Sequence, residues 1–506
     1  MTDRIRIPAV GRDHDDILKS MEAFRAGDAD WRDGRTWSLV YYAGEKHHRL
    51  LKQASELFFT ENALNPMAFR SLKRMEAEVV QMAASMLHGP LGHAPGEGCV
   101  GTLTTGGTES VLMAVKAARD RARAKKPWIR RPEIVAPSTI HVALDKAAHY
   151  FGMKVRFVDV GPDFRADPRA MERKINRNTV LICASAPQYP HGVVDPIEEI
   201  GAIAEARGIP FHVDACIGGF VLPWVEKLGF PVPVFDFRVP GVTSMSADVH
   251  KYGFAAKGAS VVLYRDMSYL RHQFFVSTDW SGGIYASPSM TGTRAGGPIA
   301  AAWASLVAMG EEGFLDHTRR AMTAARRLQE GLAQIPEVTV FGKPDATIVS
   351  WGARRAASEG GVNLFAIADR LQSKGWSVDR QQNPPSIHCT VTSNHEAVID
   401  DYLRDVREAV EHVVAHPELG ASGNAAMYGM MAKVPFRALV KKSVMQVMEA
   451  LYGTSIEPPD PDKLGEADAS PLMKVINKYG GTIDAVLEKV DAARGKVLGK
   501  RPGSRA

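Results

Sequence analysis

The chain has 506 residues, of which 45% are hydrophobic and 24% are charged, a composition typical of globular proteins. A chain of this length exceeds one small domain and suits one large α/β unit with smaller attachments. The formal net charge of +5 is small and gives no indication of a nucleic-acid-binding protein.

The four cysteines, Cys99, Cys183, Cys216 and Cys389, are widely spaced and form no C-x-x-C pair. This spacing predicts reduced thiols rather than a disulfide framework, and we expect no metal site. The first residues lack the apolar stretch of a secretory signal, and no window reaches the roughly 18 apolar residues of a membrane helix. We therefore expect a soluble, cytoplasmic protein without an integral membrane segment, although secretion into a host by another route stays open.

In chain order, residues 1–65 are predicted to be a polar N-terminal segment with helical stretches such as GEKHHRLLKQASELFF. Residues 66–335 begin with a long helix, SLKRMEAEVVQMAASML, and then alternate short β-rich runs with helical segments. This alternation predicts parallel strands joined by helices, with one or two long helices from about residue 300. The β-rich runs are EIVAP, KVRFVDV, TVLICASAP, IPFHVDA, GVTSMSAD and GASVVLYR.

Residues 336–455 are predicted to form a small α+β domain, with strands in VTVFG, TIVSWG and SIHCTVT. The following string, IEPPDPDKLGEADASP, is typical of a linker. Residues 456–506 are therefore assigned to a linker and a helical tail of unassigned role. The predicted fold class is α/β, with a large domain, a mainly parallel sheet and a smaller C-terminal domain.

Lys251 stands in SADVHKYG, between a β-rich run and the predicted strand GASVVLYR. A lysine buried at a strand end is expected to have a lowered pKa, which lets its amine form a Schiff base with an aldehyde cofactor. His250 beside it is a candidate for contact with a phosphate. A solvated surface lysine is the alternative that this segment alone leaves open.

Asp214 ends the hydrophobic run IPFHVDA, where a buried carboxylate needs a cationic partner. A protonated pyridine nitrogen supplies one, and the carboxylate keeps the ring able to take up electrons. A helix-capping aspartate is the alternative. Asp214 lies one crossover unit before Lys251 in the predicted sheet, and this position favours the catalytic interpretation of Asp214.

The string TTGGTES opens a predicted helix, and its small residues and hydroxyls are typical of an anion site at a helix N-terminus. His141, in APSTIHVALDKAAHYFG, is a candidate to stack on a cofactor ring and steer protons. Taken singly, each of these segments can also be a simple helix cap. The order phosphate loop, ring stacker, aspartate, lysine resembles the fold-type I pyridoxal-phosphate enzymes of the group II decarboxylase-like branch.

Longer strings carry a closer resemblance, to the sphingosine-1-phosphate lyases. They are LTTGGTESVLMAVKAARD, PQYPHGVVDPIEEI, FHVDACIGGFVLPW, VTSMSADVHKYGFAAKGASVVLY, TDWSGGIYASPSMTGTRAGGPIAAAWASL, GWSVDRQQNPPSIHCTVT and AAMYGMM. The likeness runs from about residue 36 to about residue 455. It implies the fold-type I transferase fold with a mainly parallel seven-stranded sheet. It also implies a homodimer with shared active sites, to which the N-terminal segment contributes.

The resemblance implies that Lys251 carries pyridoxal 5'-phosphate, that Asp214 pairs with its ring nitrogen and that His141 stacks on the ring. The other implied cofactor-binding residues are Gly107, Thr108, His250, Ser246 and His212.

Residues near the substrate follow from the same resemblance. Tyr41 and Tyr285 are implied to lie there, with core or interface aromatics as the alternative. Lys257 and Arg294 are candidates for the substrate phosphate, and for Arg294 the alternative is a carboxylate partner across the dimer. Asn65 stands where some family members carry a histidine, which puts any phosphate role of that position in question.

The implied reaction is a retro-aldol cleavage of sphingosine 1-phosphate, or a related phosphorylated long-chain base, into a long-chain aldehyde and phosphoethanolamine. Lys251, His141 and a phosphate oxygen of the substrate are the candidates for the base that takes the C3 hydroxyl proton. An amino-acid decarboxylase, which would use the same lysine, aspartate and histidine, is the alternative enzyme. A catalytically silent lipid-binding protein is a third possibility, which an intact Lys251 and Asp214 disfavour.

Overall fold

A computed structural model describes residues 5–92, 94, 97–421 and 437–453. The linker and helical tail predicted for residues 456–506 lie outside these residues, and the domain boundaries drawn from the sequence stay predictions. Across the described ranges, no helix combines the length and the apolar character needed to cross a lipid bilayer.

A seven-stranded sheet forms the centre of the large unit. Its strands are β1 (Val100–Thr104), β2 (Glu133–Pro137), β3 (Lys154–Val158), β4 (Thr179–Ser185), β5 (Phe211–Asp214), β6 (Val242–Ala247) and β7 (Ser260–Tyr264). The spatial order is β1-β7-β6-β5-β4-β2-β3, and only β7 runs antiparallel to its neighbours. The mainly parallel sheet implied by the resemblance is confirmed. The six β-rich runs are β2 to β7, and β1 is a strand that the sequence pattern had not revealed.

Helices connect and cover the strands. They are α1 (His14–Phe24), α2 (Glu45–Leu57), α3 (Arg70–Met86), α4 (Gly107–Lys125), α5 (Ala143–Phe151), α6 (Pro168–Lys174), α7 (Ile197–Arg207), α8 (Leu222–Lys227), α9 (Met267–Leu270) and α10 (Gly296–Ala333). The predicted long helix near residue 300 is α10, which is broken at Gly310. This residue has φ 55°, a left-handed conformation that glycine adopts without steric cost.

Both faces of the sheet are covered by helices. Neighbouring residues of a strand point to opposite faces, so one strand can contribute to two separate clusters. Val135 and Ile182 pack in a cluster with α3, α7 and α10. Their neighbours Ile134 and Leu181 pack in a second cluster with α4 and α5. Parallel strands buried on both faces read as continuous apolar runs, which is why the sequence showed them clearly.

A four-stranded antiparallel sheet forms the core of the smaller unit, in the order β10-β11-β13-β12. Its elements are β10 (Val338–Val340), β11 (Ile348–Ala353), α11 (Leu364–Ser373), β12 (Asp379–Gln382), β13 (Pro385–Thr390) and α12 (Ile399–Ala415). The three predicted strands are present. The edge strand β12, with the polar sequence DRQQ, gave no alternating apolar signal. Trp37 of the N-terminal segment is fully buried in this core, stacked on His395 at 4.3 Å.

Two further elements complete the described chain. A short hairpin joins β8 (Phe275–Ser277) to β9 (Tyr285–Ser287) ahead of α10. A last helix, α13 (Arg437–Leu451), follows the small unit. The hairpin carries Tyr285, one of the residues predicted to lie near the substrate.

The ends of adjacent strands bring the predicted chemical groups together. Asp214 is the last residue of β5 and lies opposite Ser246 of β6 and Ser185 of β4. Lys251 follows the end of β6 by four residues, and α4 begins three residues after β1 ends. In sheets of this kind, ligands bind at the carboxyl ends of the strands.

Candidate active site

A cavity of about 410 Å³ opens at these strand ends. Six of the residues predicted from the sequence line it, namely Gly107, Thr108, His141, Asp214, His250 and Lys251. Thr105 and Glu109, from the predicted anion-site string TTGGTES, also line it. Tyr189, Cys216 and Asp248 line it too and were not singled out in the sequence. The separate sequence signals therefore meet in one place.

Lys251 forms an ion pair with Asp248, three residues earlier, at 2.9 Å between Nζ and Oδ2. Burial alone would lower the pKa of Lys251, but the nearby Asp248 carboxylate, with Cys216 and Tyr41, raises it above its ordinary value. The lowered pKa expected from the sequence is therefore wrong. The reason is Asp248, which was read in the sequence only as a neighbour of His250 and Lys251.

Asp214 is buried at the base of the cavity. Its Oδ1 accepts hydrogen bonds from the Ser246 hydroxyl at 3.2 Å and from the Cys216 backbone N–H at 3.1 Å. Burial raises the pKa of Asp214, but His141, the Cys216 hydrogen bonds and His212 outweigh it, so that the pKa lies below its ordinary value. The site thus holds a buried carboxylate in its charged form.

Ser246 and His212 lie behind Asp214 and do not line the cavity. The His212 ring contacts the Ser244 hydroxyl at 2.9 Å and the Ser246 hydroxyl at 3.3 Å. Burial lowers the pKa of His212 to about 4, so the ring is neutral. The two residues predicted to bind the cofactor therefore support Asp214 from behind, and their direct role stays a prediction.

The loop before α4 is held by Glu109. Its Oε2 accepts hydrogen bonds from the Thr105 backbone N–H at 2.7 Å and hydroxyl at 2.6 Å, and its Oε1 accepts one from the Met290 N–H at 3.0 Å. Glu109 thus fastens the predicted phosphate loop to the segment that follows the Tyr285 hairpin. The start of α4 lines the cavity, and a helix N-terminus favours an anion.

His141 and Tyr189 form one wall of the cavity. Their rings meet edge to face at 6.2 Å, and Tyr189 stacks on His388 of the small unit at 4.1 Å. The Tyr189 hydroxyl donates to Asp379 at 3.4 Å. Burial, then the Asp379 charge, raises the pKa of Tyr189 above its ordinary range. Tyr189 was not singled out in the sequence, although it stands in the resembling string PQYPHG.

The cavity residues fit pyridoxal phosphate. Asp248 Oδ1 and His250 Nδ1 are buried without a hydrogen-bond partner in the described chain, as expected of a site that receives a polar group. An added Cβ on Gly107 would lie 2.7 Å from both Asp248 Oδ2 and Cys216 Sγ, so only glycine fits that turn. Lys251 supplies an amine, Asp214 a charged carboxylate and α4 an anion-binding N-terminus.

Tyr41 and Lys257 stand next to the cavity without lining it. The Tyr41 ring packs edge to face on Tyr252 at 5.0 Å, and Lys257 Nζ lies 5.2 Å from the Tyr41 ring centre. Burial raises the pKa of Tyr41 to about 12. Partial burial of its ammonium group, then repulsion from Lys251, lowers the pKa of Lys257 to about 8, while the residue as a whole is open to solvent.

Three other predicted residues lie apart from the cavity in the single chain. Arg294 is buried against Glu76, with 2.5 Å between Nη2 and Oε1. Tyr285 lies in the β8–β9 hairpin beside Phe275. The exposed Asn65 accepts hydrogen bonds from the backbone N–H groups of residues 67 and 68 ahead of α3. Their substrate roles stay predictions.

A larger hollow of about 870 Å³ lies between α3, α8 and α10. Its rim charges are paired, as in the Lys227–Glu311 bridge at 2.6 Å, and none of the predicted site residues lines it. Size alone would favour this hollow, but the chemistry lies in the smaller cavity.

Residues 39–354 match the model of the pyridoxal-dependent decarboxylase conserved domain. The sphingosine-1-phosphate lyase of Arabidopsis thaliana is 46% identical over 440 residues, which are 86% of this chain and 79% of that protein. This chain belongs to the sphingosine-1-phosphate lyase family.

Solved structures agree with membership of the lyase family. A sphingosine-1-phosphate lyase of Burkholderia pseudomallei is 37% identical, with a TM-score of 0.77 over 82% of this chain and 94% of that one. A glutamate decarboxylase of Lactobacillus brevis, at 19% identity and a TM-score of 0.70, shares the fold over 82% of this chain and 96% of that one. Lyases and decarboxylases therefore share this fold. The higher sequence identity to the lyase separates this chain from the decarboxylase.

Proposed function

We propose that this chain is a pyridoxal-phosphate-dependent lyase that cleaves sphingosine 1-phosphate, or a related phosphorylated long-chain base, into a long-chain aldehyde and phosphoethanolamine. The observation that carries the proposal is the meeting of Lys251, Asp214 and His141 in one cavity of a lyase-family chain. The decarboxylase structures share only the fold, so they do not favour the alternative of amino-acid decarboxylation.

The cofactor is proposed to bind through Lys251, Asp214, His141 and the start of α4. When bound, pyridoxal phosphate supplies an electron sink for the pair released as the C2–C3 bond breaks. Asp214 is ionised in a closed environment, and it would hold the proton on the pyridine nitrogen. His141 would lie against the ring, with Tyr189 fixing its edge.

Proton movements at the substrate fall to the cavity's own groups. The C3 hydroxyl must lose a proton, for which Lys251, His141 and a substrate phosphate oxygen remain the candidates. C2 must gain one after the bond breaks. Because Asp248 favours the ammonium form of Lys251, we propose that a free Lys251 Nζ donates the proton to C2.

We propose Lys257 as the cation for the substrate phosphate, with Tyr41 beside it. Lys257 stands free of any carboxylate within salt-bridge distance in the described chain, whereas Arg294 is committed to Glu76. Tyr285 and Asn65 are proposed to act near the site of a second subunit.

A homodimer with shared sites is part of the proposal. Large apolar side chains are exposed on both segments that flank the predicted substrate residues, including Leu39, Phe59 and Met67 on one and Trp280 and Ile284 on the other. Large apolar side chains left exposed on two segments are expected where a second subunit covers them. We also propose a cytoplasmic location, in keeping with four cysteines that are all free thiols.

The test is to mix purified protein with pyridoxal phosphate and a phosphorylated long-chain base, and to assay both long-chain aldehyde and phosphoethanolamine. We expect both products in equal amounts, and none from Lys251→Ala. A protein that binds the cofactor but releases no aldehyde would overturn the substrate assignment. Carbon dioxide from a free amino acid would then support the decarboxylase alternative.

A further inference from the structure

A buried carboxylate occupies the part of the cavity that the cofactor phosphate is proposed to enter. Asp248 is 2% exposed, and an added Cβ on Gly107, at the start of α4, would lie 2.7 Å from its Oδ2. The same oxygen lies 3.7 Å from His250 Nε2. Asp248 therefore shares the helix N-terminus and the histidine with the incoming phosphate.

Once the cofactor binds, the negative charges of Asp248 and of the cofactor phosphate are not fully balanced by nearby positive charge. Lys251 Nζ neutralises Asp248 Oδ2 at 2.9 Å, while Oδ1 has no donor among the described residues. The cofactor engages Lys251 and adds a phosphate of about −1.5 to −2 charge at neutral pH. Two adjacent anions in a buried site cannot both stay fully ionised, and such pairs hold a proton between them.

Apart from Lys251, the cation near Asp248 among the described titratable groups is Lys257, whose side chain is exposed and whose pKa is about 8. Burial lowers the pKa of His250, and burial raises the pKa of Cys216 and Tyr41, so these three groups are neutral near pH 7. The titratable groups that surround or share the cavity with Asp248 come from its own turn, the N-terminal segment and the neighbouring strands and helices. They are His250, Lys251, Lys257, Tyr41, Glu109, His141, Tyr189, Asp214 and Cys216.

We infer that the cofactor phosphate binds together with one proton taken from solvent, and that Asp248 is the residue that shares this proton. The proton lies on a carboxylate or phosphate oxygen and forms the O–H···O hydrogen bond that Asp248 Oδ1 lacks. Asp248 is thus a phosphate-binding residue as well as the counter-ion of Lys251. The inference rests on the proposed cofactor site and does not depend on the substrate.

Calorimetry can count this proton directly. Pyridoxal phosphate and pyridoxal, which lacks the phosphate, are each titrated into cofactor-free protein near pH 8, in buffers of different ionisation enthalpy. The reaction of the aldehyde with Lys251 takes up or releases the same number of protons for both ligands. The difference in proton uptake between the two ligands is therefore caused by the phosphate. We expect about one extra proton for pyridoxal phosphate with the unchanged protein.

Two variants assign the proton to its residue. Asp248→Asn should lose the extra uptake and still bind pyridoxal phosphate, because its amide can donate to the phosphate. His250→Gln should keep the extra uptake. The pyridoxal titration verifies that each variant has a folded site.

Either of two results would overturn the inference: no extra proton in the unchanged protein, or an extra proton that persists in Asp248→Asn. Neither readout involves cleavage. A chain that acts on a different substrate would give the same proton counts, so failure of the proposed lyase activity is a separate outcome.

Discussion

At the scale of single residues, the question for Arg294 is whether it stabilises the fold through Glu76 or binds the substrate phosphate. Glu76 is buried and the Arg294 side chain is largely buried, and Glu76 also accepts a hydrogen bond from the Leu103 backbone N–H at 3.2 Å. Arg294→Ala leaves a buried carboxylate unpaired, so we expect the free energy of unfolding in urea to fall by about 3 kcal/mol. The KM of the remaining folded enzyme should change by less than about threefold.

Glu76→Gln is the matched control, because it weakens the same pair from the other side and leaves Arg294 in place. It should also lower stability without raising KM. A large increase in KM for Arg294→Ala with unchanged stability would instead make Arg294 a phosphate ligand.

Lys257 gives a prediction on pH. Its pKa is lowered to about 8 from an ordinary 10.5, and it carries its charge only below the pKa. Attraction for the substrate phosphate is therefore present at lower pH and is lost as the pH rises. We expect KM for the phosphorylated substrate to increase between pH 8 and 10.5, with a smaller change in kcat.

The variant Lys257→Arg keeps a positive charge throughout this range and should flatten the increase in KM. Lys257→Gln should have a high KM at every pH. If the increase in KM were the same in the Arg variant, titration of Lys257 would not be its cause.

At the scale of elements, the turn into α4 depends on Gly107. An added Cβ would meet Asp248 and Cys216 at 2.7 Å, whereas at Gly106 it would meet only His250 Cε1 at 3.5 Å. We expect Gly107→Ala to weaken pyridoxal phosphate binding by about 5- to 150-fold, from an overpacking cost of about 1–3 kcal/mol. Gly106→Ala should bind within about threefold of the unchanged protein, measured by cofactor absorbance. Equal effects at both positions would contradict this account.

The same elements show what the sequence could predict. Asp214 and Lys251 were found because Asp214 ends one β-rich run and Lys251 follows the next, and parallel strands place their carboxyl ends at one edge of the sheet. Tyr189 and Asp248 were missed, since a tyrosine between prolines and an aspartate in a turn have no periodic signal. The pKa direction of Lys251 failed for the same reason, because it depends on a charge whose position only the fold reveals.

At the scale of the whole molecule, the N-terminal segment joins parts that are distant in sequence. Trp37 packs in the core of the small unit, while Tyr41, four residues later, stands beside Lys257 at the edge of the cavity. The segment thus ties the small unit to the site. Sequence periodicity could not show this, because both contacts are made outside regular helices and strands.

A second subunit is the remaining element of the proposed site, and complementation tests it. If Tyr285 serves the partner's cavity, Lys251→Ala on one chain and Tyr285→Phe on the other fall on the same site of a mixed dimer. One of its two sites then has both residues intact. Random pairing of two chains in a symmetric dimer makes half of the dimers mixed, so about a quarter of the unchanged protein's activity should return.

Co-expression of the two variants with different affinity tags, followed by isolation of the doubly tagged dimer, measures this directly. Every isolated dimer is mixed, so about half of the unchanged protein's activity is expected there. Each variant alone must be nearly inactive for the result to count. Tyr285→Phe combined with Lys251→Ala on one chain, paired with an unchanged chain, is the control. Activity restored only in that control, and not in the mixed dimer, would place Tyr285 in the cavity of its own chain.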